Sequence, residues 1–160
     1  MRKLFFVVSA LFLSTSVALA QGKIESQWIC KAKIEQSIDV GDQPGHAYTI
    51  ERVRCTAVKG EIDGQKEKEG TAVEFDDVKE GTIHARGVFV ETLPSGDKLF
   101  VGFQEIKTLK GQMASASNTW TINNGTGKFK GAKGKGTCKG NGNPDGSATF
   151  DCTGEYTLAK

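Results

Sequence analysis

The sequence predicts an all-β fold, an eight-stranded antiparallel β-barrel, and three observations support this prediction. After residue 21, apolar and polar residues alternate with a period of two, as in half-buried strands. No stretch keeps the roughly 3.6-residue period of an amphipathic helix for more than two turns. Clusters of Gly, Asn, Asp and Pro separate the alternating segments, and the 160-residue chain contains 20 Gly. A chain of this length with 38% hydrophobic residues supports one domain with a single core.

The N-terminal segment has the three parts of a secretory signal peptide. A basic Arg2-Lys3 start precedes the apolar run Leu4–Leu13, and Ala18-Leu19-Ala20 offers the small residues that a signal peptidase reads. The apolar run is much shorter than the roughly 20 residues of a membrane-spanning helix, so no membrane span is expected. The sequence therefore predicts a signal peptide at residues 1–20, cleaved after Ala20, and one barrel domain at residues 21–160. Export would place the protein in the periplasm or the extracellular space.

The net charge and the content of metal-binding residues argue against several classes of partner. The chain has 21 Lys and Arg against 19 Asp and Glu, but two of the basic residues and none of the acidic ones lie in the signal peptide. The exported part is therefore formally neutral, which argues against nucleic acid as a partner. With 2 His and no C-x-x-C spacing, the sequence also predicts no metal and no cofactor.

The four cysteines predict two structural disulfides, because export exposes them to an oxidising compartment. In an antiparallel hairpin, directly opposed residues have a constant sum of residue numbers. Cys30 opposes Cys55 if the turn is centred in Val40–Gly45, and Cys138 opposes Cys152 if the turn is centred in Asn141–Gly146. We therefore predict the bridges Cys30–Cys55 and Cys138–Cys152, each stabilising the fold by roughly 3 kcal/mol. The alternative is Cys30–Cys152, which would join the first and last strands of a barrel.

The first three strands are marked by alternation and by β-branched and aromatic residues. Trp28–Glu35 alternates apolar with charged or polar residues, and His46–Val58 is rich in Tyr, Thr, Ile and Val. Thr71–Phe75 is a shorter strand, which Asp76-Asp77 are expected to end by starting a turn. If the strand continued, these two carboxylates would point to opposite faces, so they cannot act jointly as acid and base.

Five later strands are bounded by strong turn signals. Pro94-Ser95-Gly96-Asp97 is the strongest of them, followed by Asn141–Gly146 and by Lys110-Gly111. The strands between these turns are predicted at Thr82–Leu93, Lys98–Leu109, Met113–Asn123, Lys133–Lys139 and Ser147–Leu158. Eight strands without covering helices must protect their edges, and closure into a barrel does so best. A two-sheet sandwich is the second choice.

The Gly/Lys-rich segment Gly125–Gly136 looks like a phosphate-binding loop but fails the pattern. Gly127-Lys128 is followed by Phe129 instead of Ser or Thr, and no long helix follows. We expect the glycines at 134 and 136 to leave room for a bulky neighbour such as Trp120. The lysines of this region are interpreted as a solvated face, with an anion-attracting rim as the alternative.

Several segments together resemble a known group of proteins. They are Gly87–Lys98 with the Phe/Val strand after it, Thr119–Ile122, Gly125–Gly136, Asp145-Gly146 and Gly154–Leu158. Over residues 70–158 this pattern resembles uncharacterised bacterial exported proteins of the allene oxide cyclase and dirigent barrel-like superfamily, and the Gly-Thr-Gly-x-Phe-x-Gly-x-x-Gly segment is its most specific part. The resemblance implies an eight-stranded antiparallel barrel with a central cavity, often trimeric. Cyclases of this group hold an apolar substrate in the cavity and dirigent proteins orient radicals, but no cyclase catalytic set maps onto this chain residue by residue.

The Pro94–Asp97 turn sets the expected register of the strands beside it. With a two- or four-residue loop, Arg86 faces Glu105 and Val88 faces Phe103 on one side of the sheet. If that side is the barrel interior, Arg86 and Glu105 orient the polar head of a ligand, or Glu105 accepts a proton. The alternative is an ion pair at the rim that contributes little.

Four aromatic residues are candidates for lining a ligand pocket: Trp28, Tyr48, Trp120 and Tyr156. Aromatic residues in strands also serve as plain core, and the sequence leaves both interpretations open. The opposite face of the predicted hairpin carries Phe89 and Phe100, and an apolar outer face of this kind would fit the homo-trimer that the resemblance implies.

Three functions are compatible with these features. The favoured one is an exported, disulfide-stabilised barrel that binds a small apolar or amphipathic molecule in its cavity. The alternatives are a cyclase or isomerase that uses the same cavity with Glu105 as base, and a structural or interaction barrel without a ligand. A ligand-sized cavity distinguishes the first two from the third.

Overall fold

The computed structural model of the protein describes residues 20–110 and 113–159, so the predicted signal peptide lies outside this part except for Ala20. The described chain consists almost entirely of strands, joined by short turns and one short 3₁₀ helix, Gly127–Phe129. The strands are β1 (Ala20–Asp39), β2 (Ala47–Lys59), β3 (Glu61–Ile62), β4 (Gln65–Lys66), β5 (Glu69–Lys79), β6 (Thr82–Thr92), β7 (Lys98–Lys110), β8 (Met113–Gly125), β9 (Lys133–Gly142) and β10 (Ala148–Leu158).

Eight of these strands form a closed antiparallel barrel in the order β1-β10-β9-β8-β7-β6-β5-β2. The predicted all-β barrel is therefore confirmed. β1 closes the ring because it pairs with both β2 and β10. In a barrel of eight strands the interior is just wide enough to be filled by side chains or to hold one small ligand. Among the described residues, no helix has the length and apolar character needed to cross a membrane.

Both predicted disulfides are present, and both join directly opposed residues of neighbouring strands. Cys30 of β1 pairs with Cys55 of β2, and Cys138 of β9 pairs with Cys152 of β10. The alternative bridge Cys30–Cys152 is thereby excluded. All four cysteines are buried because they lie on strand positions that face the barrel interior.

The third predicted strand continues beyond the point where Asp76-Asp77 were expected to end it. β5 runs to Lys79, and the turn comes at Glu80-Gly81, both of which have positive φ (50° and 77°). This is the backbone of a type I′ hairpin turn, whose twist matches that of the strands. Asp76 is fully buried inside the barrel, whereas Asp77 lies on the outer side, 3.1 Å from His46 Nε2.

A small hairpin that the sequence analysis missed covers one end of the barrel. β3 and β4 pair across Asp63-Gly64, again with positive φ at both turn residues. We call Glu61–Lys66 the plug, because its Ile62 is completely buried. The plug is held from two sides. The Asp63 N–H donates a hydrogen bond to Tyr156 Oη (2.9 Å), and Lys128 Nζ lies 2.8 Å from the Asp63 carboxylate.

The Gly/Lys-rich segment Gly125–Gly136 contributes to the same end of the barrel. Its 3₁₀ helix buries Phe129 completely, next to the plug. The expected role of the glycines is confirmed at Gly136, where an added Cβ would overlap the Trp120 ring; Gly154 on β10 has the same role. At Gly134 the close neighbour is Ile122 instead of Trp120.

The predicted register of β6 and β7 is wrong by one residue. Arg86 opposes Gln104, and Glu105 opposes Ala85. The reason is the loop length. The Leu93 N–H bonds to the Asp97 carbonyl and the Gly96 N–H to the Leu93 carbonyl, which leaves a three-residue loop with Gly96 at φ 87°. An odd number of loop residues shifts the pairing by one position and places every predicted partner on the opposite face.

Candidate functional site

The barrel interior contains a mainly apolar cavity of about 130 Å³. Aromatic rings and the two disulfides form its walls, and Trp28 meets Phe89 edge to face at 5.3 Å. Carboxyl groups face it as well, and these polar groups are where specific chemistry could occur. The lining comprises Ile24, Ser26, Trp28, Cys30, Val53, Cys55, Glu67, Ala72, Glu74, Phe89, Glu91, Leu99, Val101, Phe103, Glu105, Asn118, Trp120, Ile122, Cys138, Phe150 and Cys152.

Four acidic side chains surround one lysine at the end of the barrel opposite the plug. We call Glu51, Glu74, Asp76 and Glu105 the carboxylate cluster. Lys107 Nζ forms a short ion pair with Glu74 and lies 3.5 Å from Glu51, 3.8 Å from Asp76 and 4.0 Å from Glu105. Asp76 also accepts a hydrogen bond from Thr49 Oγ1 at 3.1 Å. These distances make Lys107 the shared counter-ion of the cluster.

Strand register and small residues bring these groups together. Glu51 of β2 is directly opposed to Glu74 of β5, so their side chains are cross-strand neighbours. Lys107 comes from β7, and β6 lies between β7 and β5. The inward-facing positions of β6 at this level are Ala85 and Gly87, and a Cβ at Gly87 would meet the Phe103 ring at 2.8 Å. With so little side chain on β6, the lysine can reach across it to Glu74.

Burial raises the pKa of the carboxyls in the cluster. The pKa of Glu74 rises to about 8, because burial outweighs the attraction of Lys107. Burial also raises the pKa values of Asp76 and Glu105, again against the effect of Lys107. For Lys107 itself, burial lowers the pKa, but the neighbouring carboxylates outweigh it and hold the pKa above its ordinary value. The cluster therefore keeps a charged ammonium beside Glu74, whose carboxyl is largely protonated near neutral pH.

Two more buried carboxyls face the cavity near the plug. Burial and the charge of Glu67 raise the pKa of Glu91 to about 8. Burial raises the pKa of Glu67 to about 7, although the nearby Ser26 hydroxyl favours the charged form. Ser26 also accepts a hydrogen bond from Trp28 Nε1 at 3.1 Å. The cavity thus has ionisable groups at both ends and an aromatic middle.

Stability should fall as the pH rises, and Glu91 should cause much of this change. Its folded-state pKa is raised, so its stabilising contribution is complete below about pH 4.5 and is lost as the pH rises through about 8. Between about pH 5 and pH 9, the free energy of unfolding should fall less in Glu91→Gln than in wild type, by on the order of 3 kcal/mol. Urea denaturation across this range measures the change. Glu69→Gln, at an exposed position of β5, is the control and should keep the wild-type profile. A profile of Glu91→Gln parallel to wild type would contradict the prediction.

The structure places Glu105 inside the barrel but Arg86 outside. Glu105 is 5% exposed and lines the cavity, where its neighbouring cation is Lys107. Arg86 is exposed on the outer face, with its guanidinium 5.5 Å from the Phe75 ring centre. The predicted Arg86–Glu105 pair is therefore wrong, because the one-residue shift in register turns Arg86 to the other side of the sheet.

The aromatic candidates also divide into residues inside the barrel and a residue on its outer face. Trp28 and Trp120 are buried and line the cavity. Tyr156 is buried beside it and holds the plug through its hydroxyl group. Tyr48 is 39% exposed on the outer face and stacks on Phe75 at 5.3 Å, so its predicted place in a pocket is wrong.

Sequence reasoning missed most of the ionisable groups of the interior. They are Glu51, Glu67, Glu74, Asp76, Glu91 and Lys107. A usable signal was nevertheless present in β7, where Leu99, Val101, Phe103, Glu105 and Lys107 alternate and so share one face. An apolar face that ends in charged residues indicates that those charges point inward with it.

Comparisons with known proteins match at the level of the fold. No family model and no curated protein matches the sequence. The barrel is similar to the pterocarpan synthase dirigent protein PsPTS1, with a TM-score of 0.55, 13% sequence identity, and coverage of 88% of this chain and 97% of that one. It is also similar to the pterocarpan synthase dirigent protein GePTS1, with a TM-score of 0.56, 14% identity and 98% coverage of both chains.

A protein of unknown function from Clostridium acetobutylicum ATCC 824 is a more distant match. It has a TM-score of 0.48 and 11% identity, and the match covers 86% of this chain and 99% of that one. The fold that the sequence resemblance implies is confirmed by the similarity to the two dirigent proteins. The chain therefore has the dirigent-like fold, an eight-stranded antiparallel barrel with an interior cavity.

Proposed function

We propose that the protein is an exported, disulfide-stabilised barrel that binds a small, largely apolar molecule in its interior cavity. The observation that carries this proposal is an aromatic-lined cavity into which buried carboxyl groups project. Glu91 Oε1 and Asn118 Oδ1 are buried and have no hydrogen-bond partner within residues 20–110 and 113–159. Buried polar atoms of this kind are costly unless something satisfies them. A ligand with an apolar body and one hydrogen-bonding group would do so.

The cavity size limits the class of ligand. Its volume of about 130 Å³ is below the roughly 300–1,000 Å³ of sites for drug-sized molecules. It is close to the roughly 150 Å³ of an apolar cavity that accommodates benzene. The resting cavity therefore suits a single aromatic ring or a short branched chain that carries a hydroxyl group. A larger ligand requires the barrel to expand.

A second candidate function is an isomerase or cyclase that works in the same cavity. The observation in its favour is that Glu74 and Glu91 have pKa values of about 8, so each can donate a proton near neutral pH. Glu105, predicted from the sequence as a base, faces the same space. The dirigent proteins of similar fold are named as pterocarpan synthases, which is compatible with cavity chemistry in this fold.

Export and assembly are further parts of the proposal. The two disulfides are compatible with an oxidising compartment. The homo-trimer stays a prediction, and its structural support differs from the expected one, since Phe89 points into the cavity. Instead, the outer face of β2, β5 and β6 exposes Ile50, Val73, Phe75 and Val88. An apolar outer face of this kind suits contact with another subunit.

Filling the cavity should abolish binding of single-ring probes. Ala72 lines the cavity and is 4% exposed, so Ala72→Leu adds three carbon atoms to the space that a ligand would occupy. We expect phenol to bind the wild-type protein and to bind Ala72→Leu at least 10-fold more weakly, as measured by ligand-detected NMR. The matched control is Val73→Leu, one residue away on the outer face, which should keep wild-type affinity.

Two outcomes would contradict the proposal. One is the absence of binding of any single-ring probe to the wild type up to about 10 mM, which would favour an interaction barrel without a ligand. The other is an equal loss of binding in Ala72→Leu and Val73→Leu. Native mass spectrometry of protein purified from its own host then separates the two cavity functions. If the protein only binds the retained molecule, the structure of that molecule stays unchanged after incubation with the protein. If the protein is an enzyme, a product of different structure forms.

A further inference from the structure

We propose that the carboxylate cluster is a binding site for a hard divalent cation, and that Ca²⁺ is the ion it fits. The site consists of Glu51, Glu74 and Asp76, with Glu105 as a fourth carboxylate beside them. It lies at the end of the barrel opposite the plug. Its ligand is different from the apolar molecule proposed above, and its test does not depend on that molecule.

The geometry of three carboxylates suits one cation. Glu51, Glu74 and Asp76 each offer one oxygen, and these three oxygens lie within 4.8 Å of one another. With oxygens up to 4.8 Å apart, an ion at equal distance from all three lies at most about 2.8 Å from each, and a small inward movement of the side chains brings this to the roughly 2.3–2.6 Å of Ca²⁺–oxygen contacts. Mg²⁺ prefers about 2.1 Å and strict octahedral geometry, so it fits a set of this width less well. A donor set made only of carboxylate oxygens also favours Ca²⁺ over zinc.

Unsatisfied buried oxygens provide an independent indication. Asp76 Oδ1 and Glu105 Oε1 are buried and find no hydrogen-bond partner in the part of the chain that the structure describes. The two side chains are 0% and 4% exposed, so bulk water does not solvate them. Leaving carboxylate oxygens in this state is costly, and coordination to a cation removes the cost.

The charge balance of the cluster points the same way. Lys107 is the cation that the described residues bring to all four carboxylates. One ammonium cannot neutralise four ionised carboxylates, so the remaining charge is balanced by protons or by a bound cation.

Access is possible from the solvent side of the cluster. The side chains of Glu51 and Lys107 are 14% and 19% exposed, whereas those of Glu74 and Asp76 are almost fully buried. Lys107 therefore lies between solvent and the buried carboxylates, and its flexible four-carbon stem can swing outward when an ion enters. Lys107 competes with the ion for the same oxygens, so removing its charge should strengthen cation binding.

Metal-free wild-type protein titrated with CaCl₂ at about pH 8 tests the site. Isothermal calorimetry should show one Ca²⁺ per chain with an affinity of about 10⁻⁴–10⁻³ M, the range of extracellular Ca²⁺ modules. Glu74→Gln and Asp76→Asn should each weaken binding at least 10-fold, and Lys107→Gln should strengthen it at least 10-fold. Glu155→Gln, which removes an exposed carboxylate that pairs with Lys135, controls for non-specific surface binding and should keep wild-type affinity.

A measurement on the unmodified protein locates the ion even if a variant fails to fold. In ¹H–¹⁵N spectra, Ca²⁺ should shift the backbone amides around Glu74–Asp76 and Glu105–Lys107 and leave those around Glu91 unchanged. Two results would overturn the inference. The first is no heat of binding and no shifts with wild-type protein up to about 10 mM CaCl₂. The second is binding whose amide shifts lie elsewhere, which would mean surface adsorption.

Discussion

Replacing Lys107 with methionine should lower the free energy of unfolding by about 3–5 kcal/mol at pH 8 in metal-free buffer, because it leaves buried carboxylates without their counter-ion. Methionine keeps much of the length of the lysine side chain but has no charge. Lys107 contacts Glu74 and lies within 4.0 Å of Glu51, Asp76 and Glu105, so its loss affects all four groups.

The pH dependence of this loss separates charge from packing. Without Lys107, the folded-state pKa values of the carboxyls rise further, since the lysine now lowers them. A raised folded-state pKa means stability that is present at low pH and lost as the pH rises. We therefore expect the deficit at pH 5 to be less than half of that at pH 8, measured by urea denaturation at both values.

Lys135→Met is the matched control for this experiment. Lys135 lies 3.4 Å from Glu155 on the outer face, and both side chains are at least half exposed. An exposed pair of this kind contributes about 0–1 kcal/mol, so the control should change stability little at either pH. An equal deficit of Lys107→Met at pH 5 and pH 8 would show that the lysine stabilises the barrel by packing alone.

Removing both disulfides should leave the protein largely unfolded at room temperature. Each bridge contributes roughly 3 kcal/mol by restricting the unfolded chain. Together they account for a large part of the roughly 5–15 kcal/mol by which a domain of this kind is stable. The Cys30–Cys55 bridge spans 25 residues and Cys138–Cys152 spans 14. On the loop-closure model, the longer loop should contribute about 0.5 kcal/mol more.

Variants without each cysteine pair test this prediction. Cys30→Ala/Cys55→Ala and Cys138→Ala/Cys152→Ala should each lower the free energy of unfolding, and the quadruple variant should lose near-ultraviolet circular dichroism under conditions where wild type is folded. Adding a reductant to the quadruple variant controls for other effects of the reagent and should change nothing. A quadruple variant that stays folded with a loss below about 2 kcal/mol would contradict the prediction.

The barrel and its disulfides could be predicted from the sequence because local signals are strong there. Turn clusters at Val40–Gly45 and Asn141–Gly146 fix which residues oppose each other, and the cysteine pairs agree with both. The Pro94–Asp97 turn gave the right hairpin but the wrong register. Its loop has three residues, with Gly96 at positive φ, and a change of one residue in loop length reverses which side chains face inward.

The site was less predictable because its buried charges depend on partners distant in sequence. The sequence Asp76-Asp77 suggests a turn, yet Asp76 is fully buried. Its carboxylate accepts a hydrogen bond from Thr49 and lies near the Lys107 ammonium. A lysine on a strand usually lies at the surface, and only the inward alternation of β7 indicates otherwise for Lys107. The four carboxylates come from β2, β5 and β7, so closure of the barrel is what assembles them.

The two disulfides divide the ring of eight strands into a cross-linked half and a half without covalent links, each of four strands. Both bridges lie in the four adjacent strands β2, β1, β10 and β9, whereas β5 to β8 contain no cysteine. A ligand larger than the cavity requires the barrel to expand, and separation of neighbouring strands is resisted least where no disulfide joins them. We therefore expect the strands β5 to β8 to move apart more easily than the cross-linked strands when the cavity expands. These strands carry Glu91, Glu105 and Lys107. The strands that move apart most easily are therefore also those whose ionisable side chains would contact the ligand.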